Sequence, residues 1–134
     1  MAPKRRQQYR HLPAFVLLTL AENPVHGSAI HSALIERFGL YKPDTGAIYR
    51  CLQQLEQDSE VDSEWDTSGK GPAKKNYRLT SAGWKKLEQW RQEIEMRQAN
   101  LQYFLEMYHS LKELQVDKQN VKMMSSINNH CERI

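Results

Sequence analysis

The chain has 134 residues and a mass of 15.7 kDa, with 40% hydrophobic residues, two cysteines and a net charge of +3. This length supports one domain with a modest core, and no apolar run approaches the roughly 20 residues of a membrane span. The apolar run behind the basic N-terminus is brief and lacks the small-residue cleavage site of a signal peptide, and two cysteines build no disulfide framework. We therefore expect a cytoplasmic protein rather than a membrane or secreted one.

Positive charges cluster in two places, although the total charge is only mildly basic. The first cluster is Lys4, Arg5, Arg6 and Arg10, and the second, around a Gly-Pro turn, is Lys70, Lys74, Lys75 and Arg78. Acidic side chains concentrate just before the second cluster, at Glu60, Asp62, Glu64 and Asp66. Phosphate binding depends on local clusters because it works through counterion release. The pattern indicates nucleic acid, while residues 1–11 fit a solubilising tail as well as an arm lying on phosphate.

Three short helices are predicted in the first half of the chain. Residues 12–22 place apolar side chains at helical spacing, and Pro24 ends that helix because proline disfavours a helical conformation at the residue before it. A second helix is expected to end at Arg37, with Ser28 as its N-cap and Gly39 as its terminator. These helices supply the framework for the third.

The third helix, with Asp44 as its predicted cap, has an apolar stripe and a polar outer face. The stripe is Ile48, Leu52 and Leu55, and the outer face, with the preceding turn, offers Lys42, Thr45, Tyr49, Arg50 and Gln53. Arginine suits guanine and glutamine suits adenine, so Arg50 and Gln53 are candidates for base edges. Lys42 and Thr45 suit backbone contacts, whereas the Tyr49 ring fits packing on the second helix and only its hydroxyl fits a phosphate. A polar helix face is often only solvated, but the basic hairpin beside it favours DNA contact.

Period-two alternation predicts a β-hairpin with strands over residues 60–66 and 74–79. The simplest pairing buries one face of the hairpin, formed by Val61, Trp65, Tyr77 and Leu79. The acidic row then lies near Lys74 and Arg78 on the solvated face and partly neutralises them. Lys70 and Lys75 are therefore the hairpin lysines that we expect at phosphate or in a minor groove.

A long helix is predicted from Thr80 to about Gln115, where only Gly83 interrupts a run without proline or glycine. A heptad seam runs along it: Leu87, Trp90, Ile94, Arg97, Leu101, Phe104, Tyr108 and Leu111. A domain this small cannot cover such a seam, so we expect a second copy of the chain to bury it. Residues 116–134 fit one more weak helix, with Asp117 as its cap, or a disordered tail.

Two seam residues are also candidates for an effector site. Trp90 and its copy could sandwich a flat molecule at a dimer interface, although interface packing alone is the simpler interpretation. Arg97 fits either a partner carboxylate or an anionic effector. The histidines lack the spacing of a metal site, and Cys51 fits a buried small residue. No catalytic grouping or cofactor motif occurs, so we expect no metal, no cofactor and no enzymatic activity.

Three groups of residues resemble the PadR family of bacterial transcriptional regulators. They are Pro24-Val25-His26-Gly27 with Ile30, Gly46-Ala47-Ile48-Tyr49 running into Leu52 and Leu55-Glu56, and the segment from Gly71 to Gly83. The resemblance covers residues 12–90 and implies a homodimeric winged helix-turn-helix protein, usually a repressor, whose C-terminal helix supplies most of the dimer interface. Some members release DNA on binding an aromatic or drug-like ligand. The family usually has proline where this chain has Arg50, which adds a potential phosphate or guanine contact.

The expected fold is mainly α, with a small β-hairpin wing. It comprises a basic arm (1–11), a winged helix-turn-helix DNA-binding domain (12–79), a dimerisation helix (80–115) and the weak helix or tail (116–134). The expected function is that of a homodimeric, sequence-specific regulator, most simply a repressor, whose partners are double-stranded DNA, a second copy and a candidate aromatic effector. The alternative is a winged-helix protein-interaction module or antirepressor that does not bind DNA, which the acidic strand favours.

Overall fold

The computed structural model describes residues 10–38 and 43–132, with side chains described through residue 125. Most of the predicted N-terminal arm, Gly39 and Lys42 lie outside the described residues. The elements in chain order are helix α1 (Leu12–Glu22), strand β1 (Val25–His26), helix α2 (Gly27–Arg37), helix α3 (Thr45–Gln57), strands β2 (Val61–Asp66) and β3 (Lys74–Leu79), and helix α4 (Ser81–Glu132). The mainly helical winged helix-turn-helix fold with a small wing is confirmed.

The boundaries of the three short helices agree with the predictions, but the predicted cap of the second one is wrong. Proline in the first turn of α1 and the extended Asn23 after it set that helix's limits. Asp44 caps α3 as predicted, since its carboxylate accepts a 2.6 Å hydrogen bond from the amide of Ala47. Ser28 does not cap α2, because pairing of β1 holds His26 extended at the N-cap position and Ser28 lies within the helix.

The sheet has three antiparallel strands in the order β1-β3-β2. β2 and β3 form the predicted hairpin, and their register pairs Asp62 with Arg78 and Asp66 with Lys74, as expected from the alternation. The two-residue strand β1 was not predicted. It pairs with the middle of β3, Val25 opposite Tyr77, and so attaches the start of α2 to the wing.

The buried face of the hairpin is shorter than predicted. Val61 and Tyr77 are buried and Leu79 is half-buried, but Trp65 is 63% exposed. The prediction for Trp65 is wrong because this residue lies next to the end of the ladder, opposite Lys75, and outside the core cluster. An apolar side chain is thus left at the outer part of the wing.

The first of two compact units ends at Arg91 and contains the core. Its fully buried aliphatic side chains come from α1, α2, α3 and β2: Val16, Leu17, Ile30, Leu34, Ile48, Leu52 and Val61. Thr80 opens α4 as predicted, because its hydroxyl accepts a 3.1 Å hydrogen bond from the Gly83 amide. Leu87 and Trp90 then pack partly buried against the core. The core therefore fixes α3 and the first part of α4 with respect to one another.

The second unit begins at Gln92 and is helical through Glu132. The helix continues past residue 115 because no proline or glycine interrupts it, and Asp117 lies inside the helix rather than at a cap. Four of the predicted seam residues in this unit have more than half of their surface exposed: Leu101, Phe104, Tyr108 and Leu111. In the part of the chain that the structure describes, no helix has both the length and the apolar character needed to cross a bilayer.

Candidate nucleic-acid interface

Helix α3 is held by its apolar stripe and presents a polar face. Ile48, Leu52 and Leu55 are at most 3% exposed and belong to the core cluster. On the opposite side the structure leaves four predicted contact residues exposed in one unit: Thr45, Tyr49, Arg50 and Gln53. A helix anchored in this way presents its outer side chains without needing to rearrange.

Tyr49 packs on the second helix through its ring. A Cβ built on Gly27, the first residue of α2, would lie 2.7 Å from Cε1 of Tyr49 and 3.1 Å from its hydroxyl oxygen. Glycine at this position therefore permits the tyrosine ring to lie against the start of α2. Tyr49 remains 44% exposed, so its ring packs between α2 and α3 on one side and faces solvent on the other.

Arg50 and Gln53 both extend polar groups from this exposed face. The Arg50 guanidinium lies 4.0 Å from the Asp44 carboxylate, and both side chains are more than 60% exposed. An exposed pair at this distance contributes little to stability and is easily exchanged for another acceptor. The Arg50 side chain thus lies near the N-terminus of α3, and its contact with Asp44 is weak enough to be replaced.

The wing turn is ordered by local hydrogen bonds. Asp66 accepts a 3.0 Å hydrogen bond from the amide of Ser68 and another from its hydroxyl, and these bonds lower the pKa of Asp66. Gly71 has a φ of 122°, a backbone conformation that favours glycine. Lys70 lies exposed between them. The turn therefore presents the Lys70 ammonium on a defined backbone.

Lys75 is the other wing lysine expected at phosphate, but its ammonium is bonded to a carboxylate of the same chain. Its Nζ donates a 3.0 Å hydrogen bond to Oε1 of Glu56 on α3, while the Ser63 hydroxyl donates to the other carboxylate oxygen. These bonds lower the pKa of Glu56, Ser63 having the largest effect, and the bond to Glu56 raises the pKa of Lys75. Sequence reasoning missed Glu56 and Ser63 as partners, although the alternation of β3 places Lys75 on the face of Tyr77.

The outer face of the hairpin is partly neutralised, as predicted. Arg78 lies 3.8 Å from Asp62 across the strand pair, and both side chains are more than half exposed. On the neighbouring strand, His26 Nε2 lies 3.6 Å from an Asp66 carboxylate oxygen, and its Nδ1 lies 3.4 Å from the Lys75 carbonyl oxygen. The two sides of the wing therefore differ in how firmly their cations are held.

The model of the PadR-like family of transcriptional regulators matches residues 16–89, which is more than half of the chain. The chain belongs to this family. Its fold is similar to Bacillus subtilis PadR, solved in complex with operator DNA, at 26% identity and a TM-score of 0.56, over 61% of this chain and 47% of that one. This PadR-like chain thus spans about half the length of the Bacillus protein.

Two further structures match the PadR-like chain over most of both lengths. A conserved protein of unknown function, described as a potential transcription factor, is 30% identical with a TM-score of 0.70, over 79% of this chain and 94% of that one. A PadR-like transcription factor from Bacteroides fragilis is 24% identical with a TM-score of 0.65, over 78% and 99%. None of the curated proteins matches. The family is shown by the matched segment, and the structures share the fold of this chain.

The candidate effector residues of this PadR-like regulator lie in different units. Trp90 packs against the core with its ring 5.9 Å from that of His11, and its buried Nε1 has no hydrogen-bond acceptor among the described residues. Arg97, in the second unit, donates a 3.1 Å hydrogen bond to Glu93 one turn earlier on the same helix. The Arg97 guanidinium is thus bonded to a carboxylate of its own chain, whereas the sequence had suggested a carboxylate of a partner chain.

Cys51 packs beside the core, and the described acidic and histidine side chains do not have the spacing of a metal site. Cys51 is half-buried beside the core, and burial raises the pKa of its thiol to about 12. Within residues 10–38 and 43–125, the His, Cys, Asp and Glu side chains form no group of three that could hold a metal ion. Cys51 therefore acts as a small packing residue in this PadR-like chain.

Proposed function

We propose that this chain is a cytoplasmic, homodimeric regulator that binds double-stranded DNA in a sequence-specific manner and represses transcription. The observation that carries the proposal is the outer face of α3, which is exposed while its apolar stripe is buried in the core. A helix of this kind reads the major groove in helix-turn-helix proteins. The solved complex of the similar Bacillus subtilis PadR with operator DNA supports the same use here.

The side chains divide into base-reading and positioning groups. Arg50 and Gln53 suit base edges, because a guanidinium matches guanine and a carboxamide matches adenine. Thr45 and the Tyr49 hydroxyl suit phosphate, and Lys42, just before them in the sequence, suits it as well. The ordered wing turn offers Lys70 to the neighbouring backbone. This division predicts that sequence discrimination and salt-dependent affinity depend on different residues.

A homodimer follows from the exposed apolar seam of the second unit. Leu101, Phe104, Tyr108 and Leu111 expose 52–65% of their surface, and neighbouring exposed apolar side chains of this kind mark an interaction surface. Their heptad spacing suits a second helix of the same kind. Two copies would place two α3 helices in successive major grooves about one helical turn apart.

An aromatic effector is a second element of the proposal. The observation in its favour is the Trp90 indole, whose buried N–H lacks an acceptor in the described residues. A ligand with a hydrogen-bond acceptor and a flat apolar body would satisfy this group. Arg97, in the second unit, is a separate candidate contact for an anionic effector, which would have to displace Glu93.

Titration of duplex DNA tests the central proposal. We expect the wild type to bind a selected operator more tightly than random duplex, with affinity for both falling as salt rises. Arg50→Ala combined with Gln53→Ala should remove the discrimination and leave binding to random duplex. The matched control is Gln54→Ala, an exposed glutamine outside the proposed reading set. Absence of binding at low salt would instead support an interaction module, and full discrimination by the double variant would exclude α3 as the reader.

A further inference from the structure

We propose that Glu56 withholds Lys75 from DNA phosphate and thereby limits the sequence-independent part of the chain's affinity for DNA. The inference rests on the proposed function, and it concerns a positioning residue rather than a contact residue. Glu56 lies in the last turn of α3, whereas Lys75 is the second residue of β3. One carboxylate thus connects the reading helix to the wing.

Both carboxylate oxygens of Glu56 have a donor from the wing. Lys75 Nζ on β3 donates to Oε1 at 3.0 Å, and the Ser63 hydroxyl on β2 donates to Oε2. Each of the two charged side chains is only one-third exposed, so solvent competes less for this pair than for an open surface pair. The contact therefore holds the ammonium close to α3.

Two aromatic rings flank the same ammonium. Nζ of Lys75 lies 5.6 Å from the centre of the Tyr77 ring and 5.9 Å from that of Trp65. Both distances are within the range in which a ring attracts a cation. Without the carboxylate, however, the rings supply only weak contacts, and the flexible four-carbon stem of lysine can turn its charge toward an external anion. Glu56 is therefore the group that decides where the charge lies.

The Arg78–Asp62 pair provides a contrast within the same hairpin. It lies on the other face of the strands, its closest N–O distance is 3.8 Å, and both side chains are 57–60% exposed. Removing the Asp62 charge changes the net charge by the same amount as removing that of Glu56. It releases a cation that solvent already surrounds, and it leaves Lys75 in place.

Release of Lys75 has a measurable signature in the salt dependence of binding. Each phosphate contact adds about 0.9 to the slope of log K against log salt, so two wings of a dimer would add about 1.8. We expect Glu56→Gln to steepen the slope for random duplex by about this amount and to bind it more tightly at low salt. Discrimination between operator and random duplex should fall. Asp62→Asn, the matched control, should keep the wild-type slope.

Two further variants identify the cation. Lys75→Gln in the otherwise wild-type chain should leave the slope unchanged, because Lys75 makes no phosphate contact there. Glu56→Gln combined with Lys75→Gln should return the steep slope of Glu56→Gln to the wild-type value. A slope that falls by about 0.9 per wing in Lys75→Gln would overturn the proposal. This measurement also decides the question if Glu56→Gln fails to fold, as judged by circular dichroism.

The outcomes separate this inference from the proposed function. Equal slopes for Glu56→Gln and Asp62→Asn, with a wild type that binds DNA, would overturn only the inference. A wild type that binds neither operator nor random duplex at low salt would overturn the proposed function, and the role of Glu56 with it.

Discussion

Gly83 in the first turn of α4 lies directly against the main-chain carbonyl of Glu60. A Cβ built on Gly83 would fall less than 3.0 Å from that oxygen and 2.5 Å from Cδ1 of Leu79. The carbonyl cannot easily withdraw, because it accepts a 3.1 Å hydrogen bond from the Thr80 amide. The close approach sets the position at which α4 leaves the wing.

Gly83→Ala should therefore destabilise the protein by about 1–3 kcal/mol, the usual cost of overpacking. The direction of the stability change is informative, because replacing glycine by alanine at an open helix position would stabilise the protein by about 0.5–1 kcal/mol. Urea unfolding followed by circular dichroism measures the effect. Gly69→Ala is the control, because nothing lies within 4 Å of a Cβ at that position. Equal stabilities for the two variants would contradict the packing described for α4.

The capping role of Asp44 on α3 can be separated from the effect of its negative charge. Asp44→Ala removes the acceptor of the Ala47 amide and should cost about 0.5–2 kcal/mol of stability. Asp44→Asn keeps an equally good cap and removes the charge near Arg50, so its stability should stay close to that of the wild type. Thermal unfolding of the three proteins provides the comparison. A loss in Asp44→Asn as large as in Asp44→Ala would indicate that the charge matters more than the cap.

Acid should weaken the contact between Glu56 and the wing. The folded-state pKa of Glu56 is lowered below its usual value of 4.5, so the contact stabilises the fold fully above that value. Its contribution is lost as the pH falls through the lower, folded-state pKa. The difference in unfolding free energy between wild type and Glu56→Gln should thus be constant above about pH 5.5 and shrink below pH 4.5. Ser63→Ala, which removes the largest cause of the shift, should make this pH dependence shallower.

Cys51 should resist alkylation in the native protein. Burial raises its pKa to about 12, and the thiolate is the reactive form, so almost none is present at neutral pH. In a Cys131→Ser background, iodoacetamide should modify Cys51 much more slowly in buffer than in denaturant. Mass spectrometry follows the added group. Comparable rates in both conditions would show that the core beside α3 opens readily.

The seam of the second unit should control association. Leu101→Glu combined with Phe104→Glu places two charges on the exposed apolar stripe and should shift sedimentation from dimer to monomer. Ala99→Glu adds charge on the opposite side of the same helix and should leave the dimer intact. If the double variant sediments as the wild type does, the dimer uses another surface.

Local patterns predicted most of the fold, because they depend on residues close in sequence. The stripe of Ile48, Leu52 and Leu55 identified α3, and the alternation around Val61 and Tyr77 identified the hairpin. Burial at the outer end of the hairpin was predicted less well. Trp65 follows the same alternation, yet it lies outside the core cluster. Alternation predicts which side chains share a face of the hairpin. How many of them are buried depends on how far the core packs along that face.

Contacts between distant segments were beyond sequence reasoning. The pairing of β1 with β3 depends on two residues that lack the length of an ordinary strand pattern. Likewise, the bond from Lys75 to Glu56 joins residues 19 positions apart on different elements. The first forms within the sheet, and the second forms where α3 packs beside it. The exposed outer face of α3 could thus be predicted from the sequence, whereas the bond that holds Lys75 could not.

The short strand β1 also has a consequence for the order of events during synthesis. Its partner Tyr77 emerges from the ribosome 52 positions after Val25, so the start of α2 remains without its sheet neighbour until the hairpin is complete. A nascent chain that ends before β3 can form the three helices locally but lacks this long-range closure, which is the slow kind of contact to form. The start of α2 and the wing therefore reach their final arrangement together, late in the emergence of the first unit.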